Sequence, residues 1–346
     1  MTRIPATTAS AHPHAPRWTL GTAPWQSIAP LGAPRARVIV DNDFSGDPDD
    51  LFQLVHHLLS PSVEIPLVIG SHLRAGDPFD EGPDTATHAV QVIADVFERM
   101  GLDSTGVIAR GSEEPLVDRT TPQPAPAVDA LISEALRDDP RPLYFVAGGG
   151  LTDLASAWLL EPRVAERLTV VWIGGGEHEG IAVPPPGAMP IEYNLLIDPV
   201  AAQVVFGDSD LSLWQVPRDV YRQCLVSDAE LRLRVATAGP LGAYLYDEIT
   251  EVMLRAEAEG RGPAETYALG DSPLVLLTAL QSLFEADSSS SRHEVRPTPR
   301  IGDDGQYVSR PDGRAMRVYT WVDTRLMFED FYLKLREFSD WQTSRA

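Results

Sequence analysis

The chain has 346 residues, of which 43% are hydrophobic, and its 50 acidic and 28 basic residues give a formal net charge of -22. This charge opposes binding to nucleic acid or to anionic membrane surfaces, and the hydrophobic content favours a folded globule over a disordered acidic chain. Cys224 is the only cysteine, so an intrachain disulfide and a multi-cysteine zinc site are both excluded.

The first 35 residues are rich in proline, alanine and small polar residues. This composition predicts a flexible N-terminal extension or a loosely docked arm. The segment lacks the continuous apolar stretch of a signal peptide, and no stretch approaches the roughly 18 apolar residues of a membrane span. We therefore expect a cytoplasmic, reduced protein without a membrane partner.

From residue 37 onward, short apolar runs alternate with helical patterns, which is typical of βαβ units around a parallel sheet. The predicted strands are 37–40, 64–70, 106–110, 142–148, 168–175 and 211–216. The predicted helices lie near 50–59, 85–100, 127–137, 151–160, 198–206, 228–236, 240–259 and 272–284.

The last part of the chain has a different pattern. Residues 287–297 form a polar break that predicts a mobile loop, and the alternation around Pro311, Asp312 and Gly313 predicts a β-hairpin. An amphipathic helix is predicted near 326–338. The whole pattern indicates an α/β fold with an open, mainly parallel, doubly wound sheet and flanking helices, in a single domain over residues 36–346.

The stretch "DNDFSGDPDD" places five aspartates within ten positions, directly after the first predicted strand. They are Asp41, Asp43, Asp47, Asp49 and Asp50. In open α/β sheets ligands bind beyond the carboxyl ends of the strands, which is where this loop lies. One aspartate there would cap a helix, but five neighbouring carboxylates repel one another and need protons or a cation.

The ligand types narrow the choice of cation. Carboxylates without nearby cysteine favour calcium or magnesium over zinc, and calcium takes about six to eight oxygens, so other segments must contribute. Asp271, in "YALGDSPLVLL", is one such candidate. A phosphatase that uses an aspartate nucleophile is disfavoured because Lys334 is the only lysine, and no P-loop motif occurs.

Four ordered motifs resemble those of the inosine–uridine-type nucleoside hydrolases, across about residues 36–338. They are "DNDFSGDPDDLFQL", which has an expanded aspartate motif, "VAGGGLTDLASAWLLEPRVAERLTVVWIGGG", "IEYNLLIDPVAAQVVF" and "GDSPLVLL". The resemblance implies an N-glycosidase of nucleoside metabolism. It would hydrolyse purine or pyrimidine ribonucleosides to free base and ribose with a calcium-bound water.

The resemblance also implies roles for individual residues. Asp43 would be the catalytic base and a calcium ligand, and the remaining metal ligands would be Asp50, Asp271 and the carbonyl of Thr152. Substrate would be bound by Asp49, Glu192 and Asn194, with Asp41 placed behind these groups. His72 is a substrate-binding candidate from its place in the loop after the second predicted strand, not from the resemblance. Asp47 has no clear counterpart in the family motif and is an extra metal ligand, an acid behind the ligands or a surface residue. His178 and Tyr267 are further candidates to contact the base. The family resemblance also makes a homo-oligomer plausible.

Some positions depart from the family pattern. The family's asparagine after the second strand is Ser71 here, and its histidine before the last metal aspartate is Gly270. A leaving-group acid used by some members is therefore missing. This leaves an alternative function open, namely a nucleoside- or sugar-binding or regulatory protein with the same fold and reduced or lost hydrolysis.

Overall fold

The protein is described here by a computed structural model that covers residues 15–26 and 32–345. The described strands are β1 Ala36–Asn42, β2 Val63–Gly70, β3 Ile108–Arg110, β4 Leu143–Ala147, β5 Leu168–Ile173, β6 Ser212–Val216, β7 Leu225–Ser227, β8 Thr266–Ala268, β9 Arg292–Pro297, β10 Arg300–Ile301, β11 Tyr307–Val308 and β12 Ala315–Trp321.

The α-helices alternate with these strands over the first half of the chain. They are α1 Asp49–Leu58, α2 Thr85–Met100, α3 Pro126–Ala135, α4 Thr152–Leu160, α5 Tyr193–Ile197, α6 Pro199–Gln203, α7 Arg218–Tyr221, α8 Asp228–Glu230, α9 Gly239–Ala256, α10 Pro273–Thr278 and α11 Thr324–Arg345. Short 3-10 or π-helical turns cover Pro162–Glu166, Val204–Asp208, Leu231–Val235 and Glu257–Arg261.

The main sheet has eight strands in the order β3-β2-β1-β4-β5-β6-β12-β9. Every neighbouring pair is parallel except β12 and β9, which are antiparallel. The strand order changes direction between β1 and β4, and in such folds the crevice at this switch point is the usual ligand site. The predicted open, mainly parallel sheet is confirmed.

Helices cover both faces of the sheet, so the hydrophobic core forms two layers, one on each face. Val38 and Val40 of β1 pack into the layer that contains α1, α10 and α11, whereas Ile39 packs into the layer that contains α3 and α4. Side chains alternate between the faces of a strand, so Asn42 faces the α1 layer and Asp41 faces the α4 layer. This alternation determines which functional side chains meet.

Three predictions near the C-terminus are wrong. Residues 292–297, expected in a mobile loop, form the edge strand β9, whose charged and exposed side chains hid the strand pattern. The Gly313 amide does close a turn with the Arg310 carbonyl, but the flanking strands do not form a hairpin, because β11 pairs with β10 and β12 pairs with β6 and β9. Helix α10 ends at Thr278, and the apolar side chains beyond it, Leu283 and Phe284, are exposed.

Part of the N-terminal extension is packed on the domain. The indole of Trp18 donates to the Met100 carbonyl, and the ring of Trp25 lies edge-on against Phe338 with centroids 5.1 Å apart. Residues 15–26 therefore form a docked arm in the structure. Residues 1–14 and 27–31 of the predicted flexible extension lie outside the described residues. Within the described part of the chain, no helix is both long enough and apolar enough to cross a membrane.

Candidate functional site

The candidate site lies beyond the carboxyl ends of β1 and β4, where the strand order changes direction. β1 ends at Asn42, and α1 begins seven residues later with Asp49 and Asp50 in its first turn. The positive end of the helix dipole favours negative charge there. Between them the Gly46 amide donates to the Asp43 carbonyl at 2.7 Å and closes a turn. The turn thus gathers carboxylates from both of its sides.

A cavity of about 220 Å³ opens at this edge of the sheet. Its lining residues are Asp43, Asp47, Asp49, Asp50, Phe79, Gly148, Ile173, Glu192, Tyr193, Asn194, Tyr221, Ala268, Gly270 and Asp271. Six of them are carboxylates, and three carry an aromatic ring. The lining therefore suits a small, polar, electron-poor ligand with one flat face.

Three of the carboxylates form a compact cluster on the cavity wall. One oxygen from each of Asp49, Asp50 and Asp271 lies within 4.8 Å of the others. The pKa of Asp50 is raised well above its usual range by burial, by the repulsion of neighbouring carboxylates and by hydrogen bonding to Asp271. Burial raises the pKa of Asp271 to about 7. Asp50 Oδ2 is buried without a hydrogen-bond partner in the described structure. A set of carboxylate oxygens, one of which is buried without a hydrogen-bond partner, fits a hard divalent cation.

Asn42 joins the segments that build this cluster. Its amide donates to Asp271 Oδ2 at 2.8 Å and to Asp50 Oδ1 at 3.2 Å. Its side-chain oxygen accepts from the Gly148 amide at 2.8 Å. One buried side chain therefore connects the ends of β1 and β4 with α1 and with the loop before α10.

Asp43 lies beside the cluster and faces the same cavity. Its side chain is 5% exposed, and Gly149 approaches so closely that an added Cβ would lie 3.1 Å from Asp43 Oδ1. Burial is the main cause that raises the pKa of Asp43 well above its usual range, and the charge of Asp271 adds to it. The structure therefore brings Asp43, Asp49, Asp50 and Asp271 together, as the sequence predicted.

Thr152, whose carbonyl the resemblance implied as a metal ligand, is not among the residues that line the cavity in this structure. Thr152 is the first residue of α4, so its carbonyl points along the helix and away from the cavity. Its hydroxyl donates to Asp198 at 2.6 Å. The backbone of Gly148 lies on the cavity instead, and its carbonyl accepts from Asn194 Nδ2 at 2.7 Å. Gly148 is therefore the residue after β4 that can offer a carbonyl to the cluster.

His72 does not line the cavity, so its predicted contact with substrate is wrong for this structure. The side chain is 1% exposed, and its two ring nitrogens lie 2.9 Å from the Leu73 carbonyl and from Thr152 Oγ1. His178 is likewise bonded elsewhere, with Nε2 at 2.8 Å from Gln215 Oε1 and its ring stacked on Tyr307. Both histidines stabilise the loops that surround the site.

Asp41 lies behind the site on the α4 side of β1. It is 1% exposed, and neither carboxylate oxygen has a hydrogen-bond partner in the described structure. Burial and the nearby charge of Asp153 raise its pKa well above the usual range. Its position outside the cavity lining agrees with a supporting place rather than with ligand contact.

Glu192 and Asn194 form another part of the cavity wall. Glu192 caps α5 and accepts from the amides of Gly175, Asn194 and Leu195 at 2.7 to 3.2 Å and from the Tyr221 hydroxyl at 2.9 Å. Because a carboxylate offers about four acceptor positions, its capacity is filled. Asn194 donates both amide hydrogens, to the carbonyls of Gly148 and Ile173. This wall is therefore held rigidly.

Asp47, the additional aspartate of the expanded motif, also lines the cavity. Its Oδ1 accepts from the Tyr267 hydroxyl at 2.7 Å and from the Asp49 amide at 3.3 Å. Burial raises its pKa. The sequence left Asp47 open as an extra ligand, an acid behind the ligands or a surface residue, and the structure puts it on the cavity lining.

Several residues at the site were not predicted from the sequence. Tyr221 lies after β6, and its ring packs 3.5 Å from the position that a Cβ on Gly270 would take. Phe79 comes from a loop and Tyr193 is the first residue of the short helix α5, and neither segment carries a sequence signal that points inward. Asn42 had a usable signal, because its position in β1 is two residues from Val40 and thus on the α1 face.

Comparison with known proteins agrees with this geometry. The sequence profile of the family described as "Inosine-uridine preferring nucleoside hydrolase" matches residues 38–329. The protein of that name from Crithidia fasciculata is 31% identical over 207 residues, which are 52% of this chain and 58% of that protein. The one from Leishmania major is 38% identical over 126 residues, which are 36% of this chain and 38% of that protein. The chain thus spans less than two thirds of the length of these relatives.

Solved structures show the same fold. "Purine-Preferring Ribonucleoside Hydrolase from Gardnerella vaginalis" superposes with a TM-score of 0.67 at 17% identity, over 88% of this chain and 99% of that one. An inosine-uridine preferring nucleoside hydrolase from Bacillus anthracis gives 0.60 at 18% identity, over 87% and 99%. Because the family profile covers most of the chain, the protein belongs to the inosine-uridine preferring nucleoside hydrolase family.

Proposed function

We propose that this chain is a calcium-dependent hydrolase that cleaves the N-glycosidic bond of ribonucleosides and releases ribose and free base. The observation that carries the proposal is the cluster of Asp49, Asp50 and Asp271 on a cavity that Asp43 also faces. Family membership supports the reaction type, since relatives include a protein named "Uridine nucleosidase" from Saccharomyces cerevisiae.

The donor set supports calcium as the cation. Asp43, Asp50, Asp271 and the Gly148 carbonyl would hold it, and all of these ligands are oxygens. Calcium accepts about six to eight oxygen ligands in a flexible arrangement, whereas zinc prefers nitrogen and sulfur ligands. When bound, the cation supplies charge that lowers the pKa of a water molecule at the site.

Asp43 then performs the proton transfer. Its carboxylate accepts a proton from the water that attacks the anomeric carbon, while the bond between that carbon and the base nitrogen breaks. The transition state has oxocarbenium character, as in glycoside hydrolysis. Asp49 and Glu192 both line the cavity, and their fixed negative charge stabilises the developing positive charge on the sugar.

Sugar recognition involves the same two carboxylates together with Asn194. Asp49 Oδ2 accepts from the Asp271 amide at 3.1 Å, and the other oxygen of Asp49 is the one we assign to the ribose hydroxyls. A ribose hydroxyl that binds to Glu192 must compete with the Tyr221 hydroxyl, because Tyr221 occupies the last acceptor position of the Glu192 carboxylate. Asn194 is fixed by its two backbone bonds and places its side-chain oxygen on the cavity side.

The experiment is a metal titration with a product readout. Protein stripped with a chelator is titrated with calcium, and ribose release is measured for purine and pyrimidine ribonucleosides and for a riboside whose leaving group needs no protonation. We expect ribose release that depends on calcium, with magnesium as the matched control. Ribose binding without turnover of any riboside would support the sugar-binding alternative and contradict the hydrolase. Cytoplasmic location and homo-oligomer formation stay predictions.

A further inference from the structure

The cavity is lined by more carboxylates than one divalent cation can neutralise. Its six carboxylates carry a formal charge of -6 when ionised, and a divalent cation reduces this to -4. Among the described lining residues there is no lysine, arginine or histidine. The expanded aspartate motif contributes to this excess, because Asp47 adds a carboxylate to the lining, and Gly270 adds no cationic side chain.

Two arginines close to the cavity, Arg218 and Arg74, are paired with acids outside its lining. Arg218 is bound by Glu177 through two hydrogen bonds of 2.8 and 2.7 Å, and both side chains are buried. Arg74 Nε lies 3.2 Å from Asp77 Oδ2. Each positive charge is therefore balanced locally and does not offset the carboxylates that face the ligand.

The hydroxyl groups at the cavity are also committed. The Tyr221 hydroxyl donates to Glu192, the Tyr267 hydroxyl donates to Asp47, and the Tyr193 hydroxyl donates to Asp77. A neutral base must take up a proton as it leaves, because the ring nitrogen departs with the electron pair of the broken bond. None of these three hydroxyls is free to supply that proton without giving up its carboxylate partner.

From these observations we infer that the preferred substrates are N-ribosides whose ring nitrogen carries a positive charge, of the ribosylpyridinium type. The inference rests on the proposed hydrolysis. In the step, the water oxygen bonds to the anomeric carbon and the carbon–nitrogen bond breaks. Its electron pair neutralises the pyridinium nitrogen, and the water proton passes to Asp43. The products are ribose and a neutral pyridine, so the leaving group needs no proton.

The cavity carboxylates give this substrate a second advantage. The cationic ring offsets part of the remaining negative charge, and the rings of Tyr193 and Tyr221 on the lining provide aromatic groups for a cation. Asp47 is the residue that determines this specificity. Its Oδ1 is held by the Tyr267 hydroxyl and the Asp49 amide, and its carboxylate adds negative charge beyond that of the cluster of Asp49, Asp50 and Asp271.

The test compares three kinds of riboside at saturating calcium. N-ribosylpyridinium is cationic and needs no leaving-group proton, 4-nitrophenyl riboside is neutral and needs none, and inosine and uridine are neutral and need one. We expect kcat/KM to be highest for N-ribosylpyridinium and lowest for inosine and uridine. In Asp47→Asn the ratio of kcat/KM for N-ribosylpyridinium to that for 4-nitrophenyl riboside should fall about tenfold, the effect of one partly solvated charge interaction.

The control variant is Asp312→Asn, which removes the same charge from a side chain that is 91% exposed and outside the cavity lining. It should leave the ratio unchanged. Inosine or uridine hydrolysed as efficiently as N-ribosylpyridinium would overturn the inference and leave the proposed hydrolase intact. A ratio that Asp47→Asn does not change would also overturn it. Failure to hydrolyse any of the four ribosides would instead contradict the proposed function.

Discussion

Replacing Asp153 by asparagine should stabilise the protein at alkaline pH. Asp153 is fully buried in the first turn of α4, and its Oδ1 accepts from the Ser112 amide at 3.0 Å. Its Oδ2 is buried without a partner in the described structure, and its charge acts on the neighbouring Asp41. An asparagine keeps the acceptor for Ser112 and removes the charge that acts on Asp41.

The magnitude follows from the pKa of Asp153. Burial raises that pKa from 3.8 to about 7. Below about pH 4 the carboxyl is protonated in both the folded and the unfolded protein. As the pH rises through 7 the folded protein must hold a buried anion, so stability is lost by up to about 4 kcal/mol, at about 1.4 kcal/mol per pKa unit. We expect Asp153→Asn to gain about 1 to 4 kcal/mol over the wild type at pH 8 and much less at pH 5.

The assay is urea unfolding at pH 5 and pH 8, with saturating calcium so that the cation-binding cluster does not titrate. Asp153→Ala is the matched control, because it removes the same charge but leaves the Ser112 amide without an acceptor, at a cost of about 1 to 3 kcal/mol at pH 5. The reasoning is refuted if Asp153→Asn is less stable than the wild type at pH 8, or if its stability changes with pH as steeply as that of the wild type.

Three further predictions concern the cation-binding cluster. In Gly148→Ala the new Cβ would lie 1.8 Å from Asp271 Oδ2, so calorimetry should show at least a roughly 100-fold loss of calcium affinity, and Gly176→Ala, with no atom closer than 4.0 Å, should show none. Asn42→Ala removes the donor shared by Asp50 and Asp271, so calcium affinity should fall about 10- to 100-fold, and an unchanged affinity would show that Asn42 does not position the ligands. Without metal the melting temperature should fall between pH 5 and 8. The pKa of Asp271 is raised to about 7 in the folded protein, so the stability from its protonated form is lost as the pH rises through that value. Excess calcium should reduce this fall, and a melting temperature that rises with pH in the metal-free protein would contradict this explanation.

The sequence predicted the parallel sheet and most of the carboxylate cluster because both depend on local patterns. Apolar runs identify the buried strands, and the aspartate loop follows the first of them directly. Gly148 could not be distinguished from Thr152 in this way, because which carbonyl faces the cavity depends on where α4 begins. The edge strand β9 was missed because its exposed, charged side chains remove the apolar signal.

Contacts between distant segments could not be predicted from one sequence. Tyr221 reaches Glu192 across 29 positions, and Asn42 reaches Asp271 across 229. Their alignment depends on strand order and loop packing, which local periodicity does not specify. His72 illustrates the opposite error, since its place after β2 is on the correct edge of the sheet but its ring bonds to Thr152 rather than facing the cavity.

The central claim is that Asp43 activates water beside a calcium-binding carboxylate cluster. The most direct test is ribose release from one ribonucleoside at saturating calcium by the wild type and by Asp43→Asn, with circular dichroism to establish that the variant is folded. We expect calcium-dependent release by the wild type and a decrease of about 10²- to 10⁴-fold in the variant, the usual contribution of a general base. Release by folded Asp43→Asn at a rate near that of the wild type would contradict it.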